Sequence, residues 1–146
     1  MAFARVMPPV LLDTSGLFAL LDAEQRFHED AKRAWDRLLA GARRDQQPLL
    51  THHAIIMEST ALIARRLGMR AVRELHDALL PVAEVVWIDE KLHRRATAAM
   101  FAAGRRNVSL VDWLSFEVMR DRRIRHAFTF DGHFREQGFL PVPGGR

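Results

Sequence analysis

The sequence contains no cysteine. That absence excludes disulfides, thiolate metal centres and cysteine nucleophiles together, and it fits a reducing compartment. No apolar run approaches the ~20 residues that a membrane-spanning helix requires. The N-terminus, one arginine followed by two prolines and a short apolar stretch, lacks a signal-peptide pattern. A cytoplasmic protein with no membrane association is expected. Lysine is almost missing: Lys32 and Lys91 are its only instances among 22 basic residues. Internal repeats, low-complexity blocks and linkers are also absent.

What remains is a chain of 146 residues, the size of one domain and large enough to bury a core without staples. Its apolar fraction of 49% and charged fraction of 27% are those of a soluble globular protein. The net charge of +4 suits an anionic partner such as nucleic acid, although an arginine-rich genome composition alone would produce the same excess. The reading is a single domain over residues 1–140, followed by a loose tail, Pro141 to Arg146.

Helical and strand-like patterns alternate. Val10 to Leu12 reads as a short buried strand, after which Thr14 and Ser15 can cap a helix from Gly16 to about Asp22. Phe27, Ala31, Ala34, Trp35, Leu38 and Leu39 recur at helical spacing, and Gly41 to Pro48 reads as a polar loop. Leu49 to Thr51 is a second strand. A long helix from about His53 to Leu67 stops at Gly68. A further helix carries Val72, Leu75 and Leu79 and ends at Pro81. Glu84 to Ile88 is a β-branched and aromatic strand. Leu92, Ala96, Met100 and Ala103 mark another helix, Ser109 opens one more, and Ala127 to Phe130 is the last clear strand. Such alternation predicts βαβ units, hence an α/β fold with a mainly parallel twisted sheet covered by helices on both faces.

Four carboxylates sit where the chain gives little local reason for negative charge. Asp13 and Asp131 each close an apolar strand. In an open parallel sheet that position is the carboxyl edge, where ligands bind. Each also has an ordinary reading, Asp13 as a helix cap and Asp131 as a turn residue before Gly132. Glu58 is more telling. Its helical neighbours Ala54, Ile55, Ala61 and Leu62 are apolar, and no lysine or arginine stands at those spacings. An unpaired carboxylate there costs roughly several kcal/mol. Asp112 falls in a first helical turn, and Ser109-Leu110-Val111-Asp112 is a capping box in its own right. The stretch from Gly104 to Ser109, about 20 Å when extended, is long enough to carry it back to the same edge. Gathered together, these acids would form an oxygen cage for a divalent cation, which on a small α/β fold points to phosphodiester chemistry.

Together these segments resemble the PIN domain family, and more narrowly its VapC-like toxin ribonucleases. The resemblance covers nearly the whole chain. It rests on Leu11-Leu12-Asp13-Thr14-Ser15, on Glu58 in the helix after the second strand, on Ser109-Leu110-Val111-Asp112, and on Thr129-Phe130-Asp131-Gly132-His133-Phe134. It implies a three-layer α/β/α sandwich and metal-dependent hydrolysis of RNA with Mg²⁺ or Mn²⁺ as cofactor. Asp13, Glu58, Asp112 and Asp131 would be both the catalytic and the metal-binding residues. Thr14 or Ser15 would support the first carboxylate, and His133 would stand close enough to touch phosphate. Many relatives carry a further acid beside the third or fourth carboxylate. Thr129 stands near the fourth here, which leaves a second ion without a ligand of that kind. The resemblance also implies a homodimer restrained by a small antitoxin protein.

Four carboxylates without a cation would repel one another and any phosphate, so electrostatics asks for the ion independently of the resemblance. Arginine pairs such as Arg43-Arg44, Arg65-Arg66, Arg94-Arg95 and Arg105-Arg106, with the cluster from Arg120 to Arg125, read first as solvated helix faces and second as contacts to an RNA backbone. Trp35, Trp87 and Trp113 fit core positions. Two other families of strand-end acids fit poorly. A haloacid-dehalogenase-like phosphatase needs a second Asp where this chain has Ser15, and a response-regulator receiver needs a lysine at a late strand end. The alternative from another class is a catalytically degenerate domain that binds RNA or protein without cleaving.

Overall fold

The computed structural model describes residues 7–44 and 46–144. The strands are β1 (Val10–Leu12), β2 (Leu49–His52), β3 (Glu84–Val86), β4 (His126–Phe128) and β5 (Leu140–Val142). They form one all-parallel sheet in the order β3-β2-β1-β4-β5. The helices are α1 (Thr14–Leu21), α2 (His28–Arg44), α3 (His53–Leu67), α4 (Met69–Glu74), α5 (Glu90–Ala103), α6 (Leu110–Arg122) and the short α7 (Gly132–Glu136). A π-helical turn, Leu75–Leu79, continues α4 towards Pro81.

Strand order runs outward from β1 to β3, then jumps back across the sheet to β4. Right-handed crossovers therefore send α1–α4 to one face and α5 and α6 to the other, which gives the expected three layers. Consistently, α1 packs on α2 and α3, α3 on α4, and α5 on α6. The central strands are buried throughout, as parallel strands covered on both sides should be. The reversal of strand order lies between β1 and β4, where a crevice opens beyond their carboxyl ends. The register pairs Leu12 with Phe128, so Asp13 and Thr129 emerge side by side, and the Asp13 amide donates to the Phe128 carbonyl at 3.1 Å.

Gly16 permits this closeness. A Cβ built there would lie 2.5 Å from the Phe128 carbonyl oxygen, so α1 can begin against β4 only without a side chain at that position. Gly68 ends α3 as expected, with a φ of 91° in the left-handed region.

The structure corrects the sequence reading in several places. Strand β4 ends at Phe128 and β3 at Val86, each two residues short of expectation, so Asp131 lies three residues past its strand instead of closing it. The expected tail is in large part edge structure, because Leu140–Val142 pair with His126–Phe128 as β5. An edge strand tolerates Pro141, which would break a central one. Residues 145 and 146 of that tail lie outside the described residues, as do residues 1–6. Helix α2 continues through Gly41 to Arg44 instead of yielding to a loop. Of the three residues offered as caps of α1, Asp13 serves, accepting from the Ser15 amide, and Thr14 and Ser15 do not. Trp35 and Trp113 are buried, but Trp87 is 68% exposed, lying just beyond the edge strand β3 with its ring 4.8 Å from that of His53.

Candidate metal centre

The carboxylate of Asp13 is almost fully buried at the end of β1. One oxygen, Oδ2, accepts from the Ser15 hydroxyl (2.7 Å), the Thr129 hydroxyl (2.8 Å) and the Ser15 amide (3.3 Å). Among the described residues nothing donates to Oδ1. Burial dominates its titration, opposed by the Ser15 and Thr129 hydrogen bonds and reinforced by the charges of Asp112 and Asp131. The carboxyl is pushed up to about 6.

Thr129 ties two strand ends together. Its hydroxyl donates to Asp13 and accepts from the Asp131 amide at 3.0 Å. Ser15 completes the junction by accepting from the Phe130 amide at 2.9 Å. Of the two residues expected to support Asp13, Ser15 does so. Thr14 instead accepts from Ser59 at 3.1 Å and acts on Glu58, whose pKa it lowers by hydrogen bonding.

Glu58 is half-buried on α3. Burial raises its carboxyl above the ordinary range, and the charges of Asp13 and Asp131 add to the effect. Asp112 sits in the first turn of α6 and closes the predicted capping box: Ser109 Oγ accepts from the Asp112 amide and Asp112 Oδ2 from the Ser109 amide, both at 3.1 Å. Burial pushes its pKa up as well, with Asp131 and Glu58 contributing repulsion. Asp131 caps α7, accepting from the His133 amide at 2.9 Å.

The start of α6 is fixed to the sheet through a pair that sequence reasoning did not single out. His52, wholly buried at the end of β2, accepts from the Ile55 amide through Nδ1 (3.3 Å). Its Nε2 therefore carries the proton and donates to Ser115 Oγ (2.8 Å), which in turn donates to the Val111 carbonyl (3.0 Å). Burial drives the imidazole down to about 3, so it is neutral across the physiological range. The sequence signal was limited to a histidine beside a helix start, since the contact spans 63 residues.

The pKa values of Asp13, Glu58 and Asp112 are each raised in part by neighbouring acids, and the charge of Asp131 acts on all three, which brings the four together at the rim between β1 and β4. Among the described residues none is paired with a lysine or arginine. His133 Nδ1 lies 2.9 Å from Asp131 Oδ1 and 3.9 Å from Asp112 Oδ2, without a hydrogen bond of good geometry. Asp112, Asp131 and His133 each offer a ligand atom within 4.8 Å of the others. A mostly oxygen donor set, part-buried, rich in negative charge and holding an unsatisfied ring nitrogen, fits a hard divalent cation.

The chain is similar to known proteins along most of its length. The PIN domain family model matches residues 10–140. The 23S rRNA-specific endonuclease VapC20 of Mycobacterium tuberculosis is 33% identical over 135 residues, which cover 91% of this chain and 97% of that protein. Its crystal structure, described as that of a sarcin–ricin-loop-cleaving toxin, superposes with a TM-score of 0.76 at 30% identity, covering 90% of this chain and 96% of the other. FitAcB of Neisseria gonorrhoeae shares the fold at 15% identity, with a TM-score of 0.64 over 90% of this chain and 95% of that one.

Proposed function

Because the chain belongs to the PIN domain family, we propose that it is a divalent-cation-dependent endoribonuclease and the toxin of a toxin–antitoxin pair. The observation that carries this reading is the gathering of Asp13, Glu58, Asp112 and Asp131 at one rim of the sheet, none of them paired with an arginine or lysine among the described residues.

Asp13, Asp112 and Asp131 would hold Mg²⁺ or Mn²⁺ directly, with Glu58 bound directly or through water. The ion supplies a Lewis acid for the phosphoryl oxygens and acidifies water. The remaining work belongs to the chain. Ser15 and Thr129 clamp Asp13 by one oxygen and leave the other free. His52 and Ser115 fix the helix that carries Asp112. His133 stands beside Asp131, where its ring can meet the substrate phosphate. No side-chain nucleophile is needed, and the attacking group would be water. Hydrolysis would leave a 5′-phosphate and a 3′-hydroxyl.

The expected partners are RNA, a small antitoxin and a second copy of the chain. None of the described helices is long and apolar enough to cross a membrane, in keeping with a cytoplasmic toxin. An RNA containing a sarcin–ricin loop is the first substrate to test, by analogy with VapC20. Cleavage should require Mg²⁺ or Mn²⁺, stop on chelation, and fall at least ~100-fold in Asp13→Asn with its fold verified by circular dichroism. Chelator-resistant cleavage, or full activity in Asp13→Asn, would remove the metal centre from the mechanism.

A further inference from the structure

A cleft of about 660 Å³ adjoins the acid cluster, and its lining includes Arg26, Phe27, Phe130, Asp131, Arg135 and Pro143. Asp131 and Thr129 belong to both spaces, so a chain crossing the acids would pass directly into the cleft. The volume lies within the range of small-ligand sites and suits one nucleotide.

The wall is built in layers. The rings of Phe27 and Phe130 are parallel to within 1°, with centroids 4.8 Å apart. The Arg26 guanidinium lies over the Phe27 ring, 5.0 Å from its centroid. Inward, Phe130 meets Phe128 edge-on at 6.3 Å, and Phe128 meets Trp35 at 5.9 Å. An aromatic column therefore runs from the core to the cleft and ends in a cationic plane. Core packing does not account for its outer end, because Phe27 is 36% exposed.

The charges are equally informative. Arg26 and Arg135, like Arg37, Arg65 and Arg125, take part in no salt bridge among the described residues, so both guanidiniums facing the cleft are open to a ligand. The other carboxylate of the cleft, Asp30, is bound to Arg33 at 2.6 Å. Two uncommitted guanidiniums, one already backed by an aromatic ring, are the chemistry that receives an unstacked base and its phosphate. An acidic peptide would use the charges and leave the stacked column unexplained.

We propose that this cleft is a subsite for a nucleotide flanking the scissile phosphate of single-stranded or splayed RNA, with its base stacked on the Arg26 guanidinium and its phosphate held by Arg135. The proposal rests on the ribonuclease reading and adds a determinant of substrate form to it. Substrates that present an unpaired base beside the cut would be favoured over continuous duplex.

The test uses the full-length protein and a fluorescent single-stranded oligoribonucleotide of about 12 residues, long enough to fill a site of this kind. Arg26 and Arg135 are exposed, so their replacement should leave the fold intact. In Arg26→Ala/Arg135→Gln, KM and the anisotropy-derived Kd should rise about tenfold while kcat stays within about twofold. The plot of log Kd against log salt should flatten by about 0.7, the loss of one phosphate contact. An abasic residue at one flanking position should weaken binding by the wild-type protein and have no further effect in Arg26→Ala. Arg26→Lys should keep the salt slope but lose this sensitivity to the base. Unchanged KM, Kd and salt slope would overturn the subsite, as would abasic and Arg26 effects that simply multiply. So would constants for RNA that hold while binding of a protein partner is lost. Failure of the unaltered protein to cleave any RNA with Mg²⁺ or Mn²⁺ would count against the ribonuclease reading. The anisotropy measurements need no cleavage and would still decide the subsite.

Discussion

Carboxylates occupy two regions of this molecule under opposite terms. On the α5–α6 face each acid is answered. Glu117 lies between Arg95 (3.8 Å) and Arg120 (3.6 Å), Asp121 pairs with Arg95, Glu90 pairs with Arg94 at 2.6 Å, and Glu84 on the neighbouring strand faces Arg122 at 3.4 Å. At the rim between β1 and β4, Asp13 is buried and Glu58, Asp112 and Asp131 are part-buried, and among the described residues none of them pairs with a lysine or arginine; the His133 ring is the basic group beside Asp131 and Asp112. Exposed pairs of the first kind contribute about 0–1 kcal/mol each. The second arrangement is a liability for folding, and its coherent explanation is an external ion. The chain has ample arginine, yet among the described residues none pairs with these acids, which sets a surface that stabilises apart from a rim kept charged.

The comparison can be broken most forcefully at Asp13. Its carboxyl titrates near 6 when folded and near 3.8 otherwise, so the folded protein holds this proton more tightly than the unfolded chain does. The penalty on the charged form grows as pH rises from about 4 to about 6 and is complete above that. In chelator at about pH 7.5, Asp13→Asn should therefore be more stable than the unaltered protein by up to about 3 kcal/mol. Below about pH 3.5 the gain should vanish. Urea unfolding at the two pH values reads both outcomes. A variant less stable at each pH would show that Asp13 is an ordinary structural acid.

A smaller effect should follow at Thr129. Replacing it with valine removes a donor to Asp13 and strands the Asp131 amide, costing about 1–2 kcal/mol. The lost hydrogen bond was holding the Asp13 pKa down, so the acid limb of the cleavage profile should shift to higher pH. A profile that keeps its midpoint would disconnect Thr129 from the first carboxylate.

The smallest effect sharpens the other side of the comparison. Asp121→Asn should cost less than about 1 kcal/mol despite its close pairing with Arg95, because both groups are largely in solvent. Cleavage should be unaltered. A loss of activity there would mean that the α5–α6 face also meets the substrate.

The parts of this architecture that were legible in the sequence are those set by local pattern. Continuous buried runs gave β1, β2 and β4, helical periodicity gave α2, α3 and α5, and the capping box at Ser109 gave the start of α6. Strand-terminal position also pointed to Asp13, and to Asp131, although β4 stops at Phe128 and Asp131 caps α7 instead. The rest depends on register and edges. Pro141 argued against a strand, since a proline amide cannot donate to a ladder, yet on the outermost strand that donor is not needed. Trp87 read as core because its ring is apolar, and nothing in the sequence marks β3 as an edge. The bridging role of Thr129 follows from the pairing of Leu12 with Phe128, a contact between residues far apart in the chain that leaves no local trace. Asp112 shows a further limit. Its capping box is a sufficient local explanation, and the structure has it capping a helix and facing the other acids at once.

The bare backbone at Gly16 has a consequence for the ion. A Cβ there would meet both the carbonyl oxygen and the ring of Phe128, so helix α1 rests on strand β4 with no side chain of its own in between. The spacing between the two strand ends that carry Asp13 and Thr129 is therefore dictated by peptide geometry. The cation radius that the proposed nest would accept would thus be shaped in part from outside its ligands, by a residue that carries no charge.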